Sequence, residues 1–255
     1  MERLVRSDAR LILASLLLLA ALAWVYLIMM VASMADGRAM DAMFAAPQPW
    51  TPQTFVLMFC MWWIMMIGMM VPSAAPMILL FGRVQRRQLA GQAPYASTSL
   101  FALAYLVVWA AFSALATLAQ WSLNSAAVLA PMNIRVGGAA AAVILIAGGL
   151  YQLTPFKRAC LEHCRSPAQF LAGRWRKGKA GALRMGLEHG GYCVGCCWLL
   201  MALLFVGGVM NLIWVAGLAL LVMAEKLVPR GDILARVTGY ALLAAGVIVA
   251  AFTLT

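Results

Sequence analysis

Charge is the scarcest resource in this chain. Only 8 acidic and 19 basic residues occur among 255, so charged residues make up 11% of the sequence. Hydrophobic residues make up 65%, and the mean hydropathy is +0.92. Soluble globular domains carry about a quarter charged residues, so this composition excludes that class. No glycine-rich nucleotide loop, nucleophile elbow or His-Glu-x-x-His pair is present, which argues against ATP-driven transport by this chain alone. The apolar runs also lack the polar–apolar alternation of lipid-facing strands, which argues against a β-barrel. Histidine is rare as well, at two residues.

What is present is long apolar sequence. Spanning a hydrocarbon core of about 30 Å takes roughly 20 apolar residues as a helix. The pattern predicts an all-α, polytopic transmembrane bundle forming one integral membrane domain over residues 1–255, with seven spans near 11–32, 54–81, 99–120, 136–154, 190–207, 211–227 and 233–254. Residues 190–227 would be too long for one crossing, and Gly207-Gly208 followed by Asn211 supplies a break for a helical hairpin. The basic start and Ser33-Met34-Ala35 resemble a cleavable signal. The apolar run is too long for one, so a retained first span is expected.

The net charge of +11 is unevenly placed. Arg3, Arg6, Arg10, Arg83, Arg86, Arg87, Lys157, Arg158, Arg165, Arg174, Arg176, Lys177, Lys179, Arg184, Lys226, Arg230 and Arg236 fall on one side of the seven-span scheme. Only Arg38 and Arg135 fall on the other, a partition of 17 among 19. The positive-inside rule then places the N-terminus inside, the basic loop 155–189 in the cytoplasm and the C-terminus outside. The loop suits anionic lipid headgroups, and no module for nucleic-acid recognition accompanies it.

Five of the six cysteines and both histidines fall within residues 160–197. Thr154-Pro155 is a helix-start signal, and a helix over 155–165 would place Cys160, His163 and Cys164 on one face. His189, Cys193, Cys196 and Cys197 follow helical spacing in the second cluster, with Gly190, Gly191 and Gly195 clearing room among them. Cytoplasmic thiols stay reduced, so these residues read as metal ligands or redox thiols. Thiolate and imidazole suit zinc, copper(I) or an iron–sulfur cluster. The alternative is that cysteine acts as a small buried hydrophobe, the expected role of Cys60.

Three further features stand out. Met58, Met61, Met65 and Met69 form one helical stripe and Met66, Met70 and Met77 a second, suited to pliable packing or to passing a soft ion. Pro72 and Pro76 suggest a broken or kinked end to that helix. Cys60–Met65 and Cys196–Met201 share the pattern C-x-W-x-x-M, as an inverted repeat would. Among acids, Glu188 reads as a solvated boundary residue, and Glu225-Lys226 as a snorkelling ion pair.

The run Arg184–Trp198, which contains His189-Gly190-Gly191-Tyr192-Cys193-Val194-Gly195-Cys196-Cys197-Trp198, resembles the signature of a bacterial family of predicted metal-binding integral membrane proteins of uncharacterised function. The Met-Trp-rich helix ending near Pro72, the Cys160/Cys164 segment and Met210 through Leu227 are similar to that family too. The resemblance implies metal binding through His189, Cys193, Cys196 and Cys197, and some members carry a copper-chaperone label. A multi-pass protein of the bacterial inner (cytoplasmic) membrane is expected. It would contact lipids, a copper or zinc ion and a membrane-bound or soluble metal-handling partner, and no nucleic acid. Three functions compete: binding or transport of a soft metal, thiol–disulfide electron transfer through Cys193 and Cys196, and a membrane metalloenzyme with Glu162 or Glu188 as base.

Overall fold

Local signals set most of the helix boundaries. A computed structural model describes residues 2–35, 50–88, 94–126, 129–130 and 135–254. Arg38, which the charge partition uses, lies outside the described residues. The elements are α1 (Glu2–Ala35), α2 (Pro52–Gln88), α3 (Tyr95–Ser125), β1 (Leu129–Ala130), β2 (Arg135–Val136), α4 (Gly138–Gln152), α5 (Pro155–Arg165), α6 (Pro167–Arg174), α7 (Gly178–Ala202), α8 (Leu204–Gly207), α9 (Leu212–Leu227) and α10 (Gly231–Leu254). The two short strands pair antiparallel, Leu129 with Val136 and Ala130 with Arg135. The rest is an all-α bundle.

Five stretches are long and apolar enough to cross a membrane: Ser7–Ser33, Pro52–Gln88, Tyr95–Ser125, Gly178–Gly207 and Gly231–Thr253. The fourth and sixth expected spans are shorter. Helix α4 has 15 residues and meets α5 at a 66° bend, while α9 has 16 residues. At about 1.5 Å per residue, α9 covers roughly 24 Å, less than a hydrocarbon core. The helix expected from residue 190 starts at Gly178, so part of the basic loop is helical.

Helix α2 contradicts the expected break, running unbroken through Pro72 and Pro76. Proline removes the N–H that would bond the carbonyl four residues back. For Pro72 that carbonyl belongs to Gly68, and the Trp24 indole N–H of α1 donates to it at 3.3 Å. The vacancy is filled by a neighbouring helix.

The expected hairpin is present. Helix α8 ends at Gly208, whose φ of +95° suits glycine, and the Asn211 side chain caps α9 by accepting from the Trp214 amide at 3.2 Å. Helix α7 packs closely on α3: a Cβ at Gly186 would stand 2.3 Å from the Phe101 carbonyl oxygen. This approach brings Tyr105 of α3 beside the cysteines of α7. On the other flank α10 packs on α4, and α1 on α2. The α1–α2 contact is clamped by Asp8, which accepts from the Arg86 guanidinium and, at 2.6 Å, from the Tyr95 hydroxyl.

Both methionine stripes are buried, at 3% exposure or less from Met58 to Met77. The sequence echo does not extend to environment. Trp62 is wholly buried and donates to Gln120 at 2.7 Å, whereas Trp198 is 42% exposed and lies edge-on to Tyr151.

Candidate functional site

The cysteines of α7 sit deep in a membrane-length helix. Cys193 is 15 residues from the helix start at Gly178, about 22 Å along its axis. The cluster therefore lies mid-helix, not at a helix start, and receives no help from a helix N-terminus.

Spacing of three and four residues puts Cys193, Cys196 and Cys197 on one buried face. Helix α5 lies against that face. The Thr154 hydroxyl accepts from the Lys157 amide at 3.2 Å, and Pro155 opens the helix, as the sequence predicts. A strongly amphipathic turn then carries Cys160 and Cys164 toward α7. Cys164 neighbours Cys193 and Cys196 across the α5–α7 contact, and Cys197 neighbours the same two along α7. The Cys160 Sγ lies 3.0 Å from where a Cβ on Gly195 would stand, so a side chain at 195 would push α5 away. The Tyr151 hydroxyl donates to the Gly195 carbonyl and ties the α4–α5 bend to the same turn of α7.

His189 is buried one turn before Cys193, at 3% exposure. Its ring is packed by Phe101, Tyr105 and Phe170 at centroid distances of 6.0, 5.7 and 5.7 Å, and its Nδ1 has no hydrogen-bond partner among the described residues. Buried polar nitrogens are rarely left unpaired, so this one has unused capacity. His163 is apart from the thiols. It is partly exposed and stacks flat on Tyr192, 4.2 Å between centroids. Cys60 lies on α2, distinct from this set.

Among the described residues no three His, Cys, Asp or Glu side chains are grouped as they would be around a metal ion. The thiol rotamers supply a reason. Cys196 and Cys197 each donate to the Cys193 carbonyl oxygen, at 3.1 and 3.0 Å, and so point along the helix instead of toward a common centre.

Two neighbours of the thiols, Lys226 and Tyr105, were not placed at the site by the sequence. The Lys226 ammonium lies 3.0 Å from Cys193 Sγ and 3.2 Å from the Ser73 hydroxyl. The Tyr105 hydroxyl is 3.1 Å from Cys193 Sγ and 3.2 Å from the Met70 carbonyl. Lys226 is 6% exposed, which overturns the snorkelling pair. Adjacent helical residues project about 100° apart, so Glu225 and Lys226 face different partners. Glu225 accepts from the Lys157 ammonium at 2.6 Å and from Gln152 at 2.8 Å, all three buried. Lys157, expected in a solvated basic loop, is thus a core residue. An ionisable residue inside an apolar run was the available signal for Lys226; nothing marked Tyr105. Glu188 is the solvated acid expected, paired with Arg174 and Arg184 at 3.3 Å each.

Fold and site together define an all-α membrane-type bundle with a buried set of soft thiol donors, flanked by an imidazole and an ammonium. The chain matches the PpoB2 copper chaperone family over residues 59–249, which include every thiol, imidazole and charged group of the site, and it belongs to that family. No curated protein and no solved structure matches it.

Proposed function

We propose that this protein binds Cu(I) as cargo inside the bundle, through Cys164, Cys193, Cys196 and Cys197, with His189 Nδ1 as the neutral donor and Cys160 adjoining. The observation that carries this is the meeting of four reduced thiols beside a buried, unpartnered imidazole nitrogen. Thiolate is the donor that selects Cu(I) among first-row ions, and the copper family favours copper over zinc. Copper(I) held by two thiolates carries net negative charge, which Lys226 is placed to offset. Binding requires the Cys196 and Cys197 thiols to leave the Cys193 carbonyl and turn toward the ion. The protein purified under reductant should take up about one Cu(I) per chain, read by metal analysis. Protein that takes up no copper but shows a titratable Cys193–Cys196 disulfide would instead be a thiol–disulfide electron carrier.

On the seven-span scheme, the charge partition supports a multi-pass arrangement in the inner membrane, with loop 155–189 on the reducing, cytoplasmic side and the C-terminus outside. Reporter fusions should read inside at Lys177 and outside after α10. The reverse reading would put the thiols on an oxidising side and remove the chemical basis for Cu(I) binding there.

A further inference from the structure

His163 is the second histidine of the chain, and the thiol set does not use it. Its Nδ1 lies 2.8 Å from the Ala159 carbonyl oxygen. A carbonyl only accepts, so Nδ1 carries the proton and Nε2 keeps its lone pair. The ring stacks on Tyr192 with 6° between planes. His163 and Tyr192 immediately precede Cys164 and Cys193, the two thiols that meet across the α5–α7 contact. The stack thus joins α5 to α7 beside the residues that carry those thiols.

A cavity of about 260 Å³ opens beside this stack, lined by Glu162, His163, Gln169, Phe170 and Arg174. Phe170 closes its inner end. That ring is 3% exposed and sits edge-on both to Tyr192, at 6.3 Å, and to His189, at 5.7 Å. One aromatic ring thus separates the cavity from the unpartnered Nδ1 of His189. Of the charged residues that line it, Arg174 is the cation and Glu162 the acid. Arg174 shares the Glu188 carboxylate with Arg176 and Arg184, so the surface adjoining the mouth is net basic. Arg174 also donates to the Tyr192 hydroxyl at 2.7 Å, which fixes it at the mouth.

We propose that this cavity is where copper is loaded, from an anionic Cu(I)–thiolate complex, with His163 as the first and transient ligand. The complex docks against Arg174. In a bis-thiolate complex, one copper–sulfur bond breaks as a copper–nitrogen bond to His163 Nε2 forms, and that thiolate leaves with its negative charge into water. The second thiolate leaves as copper passes to the protein thiols, whose released protons the departing thiolates take up. Copper stays Cu(I) throughout. Displacement of Phe170 then opens the way to His189 and the thiols. A basic, histidine-lined mouth suits such a complex better than a free cation, which the guanidinium groups would repel.

The inference rests on the Cu(I)-binding reading and is tested separately from it. The probe is Cu(I)–glutathione, mixed with the purified full chain and followed by the ultraviolet thiolate-to-copper absorption. His163→Leu should slow loading by roughly tenfold or more while final stoichiometry stays that of the wild type. His163→Met, which restores a soft donor, should recover most of the rate. Arg174→Gln should slow loading at low salt and weaken its salt dependence. A His163→Leu variant that loads at the wild-type rate overturns the loading site and leaves the thiol site intact. One that loses copper at equilibrium makes His163 a permanent ligand and overturns the transient role. A wild type that takes up no copper overturns both readings.

Discussion

Replacing Cys193 and Cys196 together by serine is expected to take copper from about one ion per chain to background and to leave the helical fold standing. Cys193 is the node of the site: Tyr105 and Lys226 meet its sulfur at 3.1 and 3.0 Å. Cys164 neighbours both Cys193 and Cys196. Serine is slightly smaller but keeps a lone pair, so Lys226 and Tyr105 retain an acceptor and no buried donor is orphaned. What is lost is the soft thiolate, and a neutral hydroxyl does not replace it for Cu(I). Cys60→Ser is the matched control. Cys60 stands ten residues, about 15 Å, along α2 from Met70, the residue whose carbonyl touches Tyr105, and its replacement should leave copper unchanged. Metal analysis and far-ultraviolet circular dichroism read the two properties separately. A double variant that holds wild-type copper would remove Cys193 and Cys196 from the ligand set.

The parts of this molecule that local chemistry decides were legible in the sequence. Thr154-Pro155 announced α5, Gly207-Gly208 and Asn211 announced the hairpin, and thiol spacing announced one buried face on α7. The parts decided by partners far along the chain were not. The carbonyl freed by Pro72 is satisfied by Trp24, and a helix that looked breakable is continuous. The Cys193 partners come from Tyr105 and Lys226, 88 positions before it and 33 after it. Lys157 looked like one more basic loop residue because nothing nearby reveals that Glu225, 68 positions away, will meet it. Charge counting treats every lysine alike, and only packing separates those that reach water from those that do not.

That buried pair carries the second large expected effect. The Lys157 and Glu225 side chains are 1% and 2% exposed, and Gln152 completes the carboxylate's hydrogen bonds at the bend between α4 and α5. Lys157→Met alone would strand the carboxylate in an apolar surround, at a cost of about 3–5 kcal/mol, because an uncompensated buried charge loses its attraction without regaining water. Lys157→Met combined with Glu225→Leu removes both charges and should recover most of that loss, since well-packed apolar replacements of a buried pair are close to neutral. Glu225→Leu alone should be the mirror case, with the ammonium stranded. A double-mutant cycle on unfolding in detergent gives the coupling directly. Copper uptake should follow stability. Glu225 shares the last turn of α9 with Lys226, and Lys157 shares α5 with Cys160 and Cys164. The single variants therefore loosen two of the walls that bring the thiols together, while the double variant keeps them closed. Equal stability of Lys157→Met and the wild type would mean that the ion pair is not buried in the folded protein, and that α5 is held to α7 by the cysteine face alone.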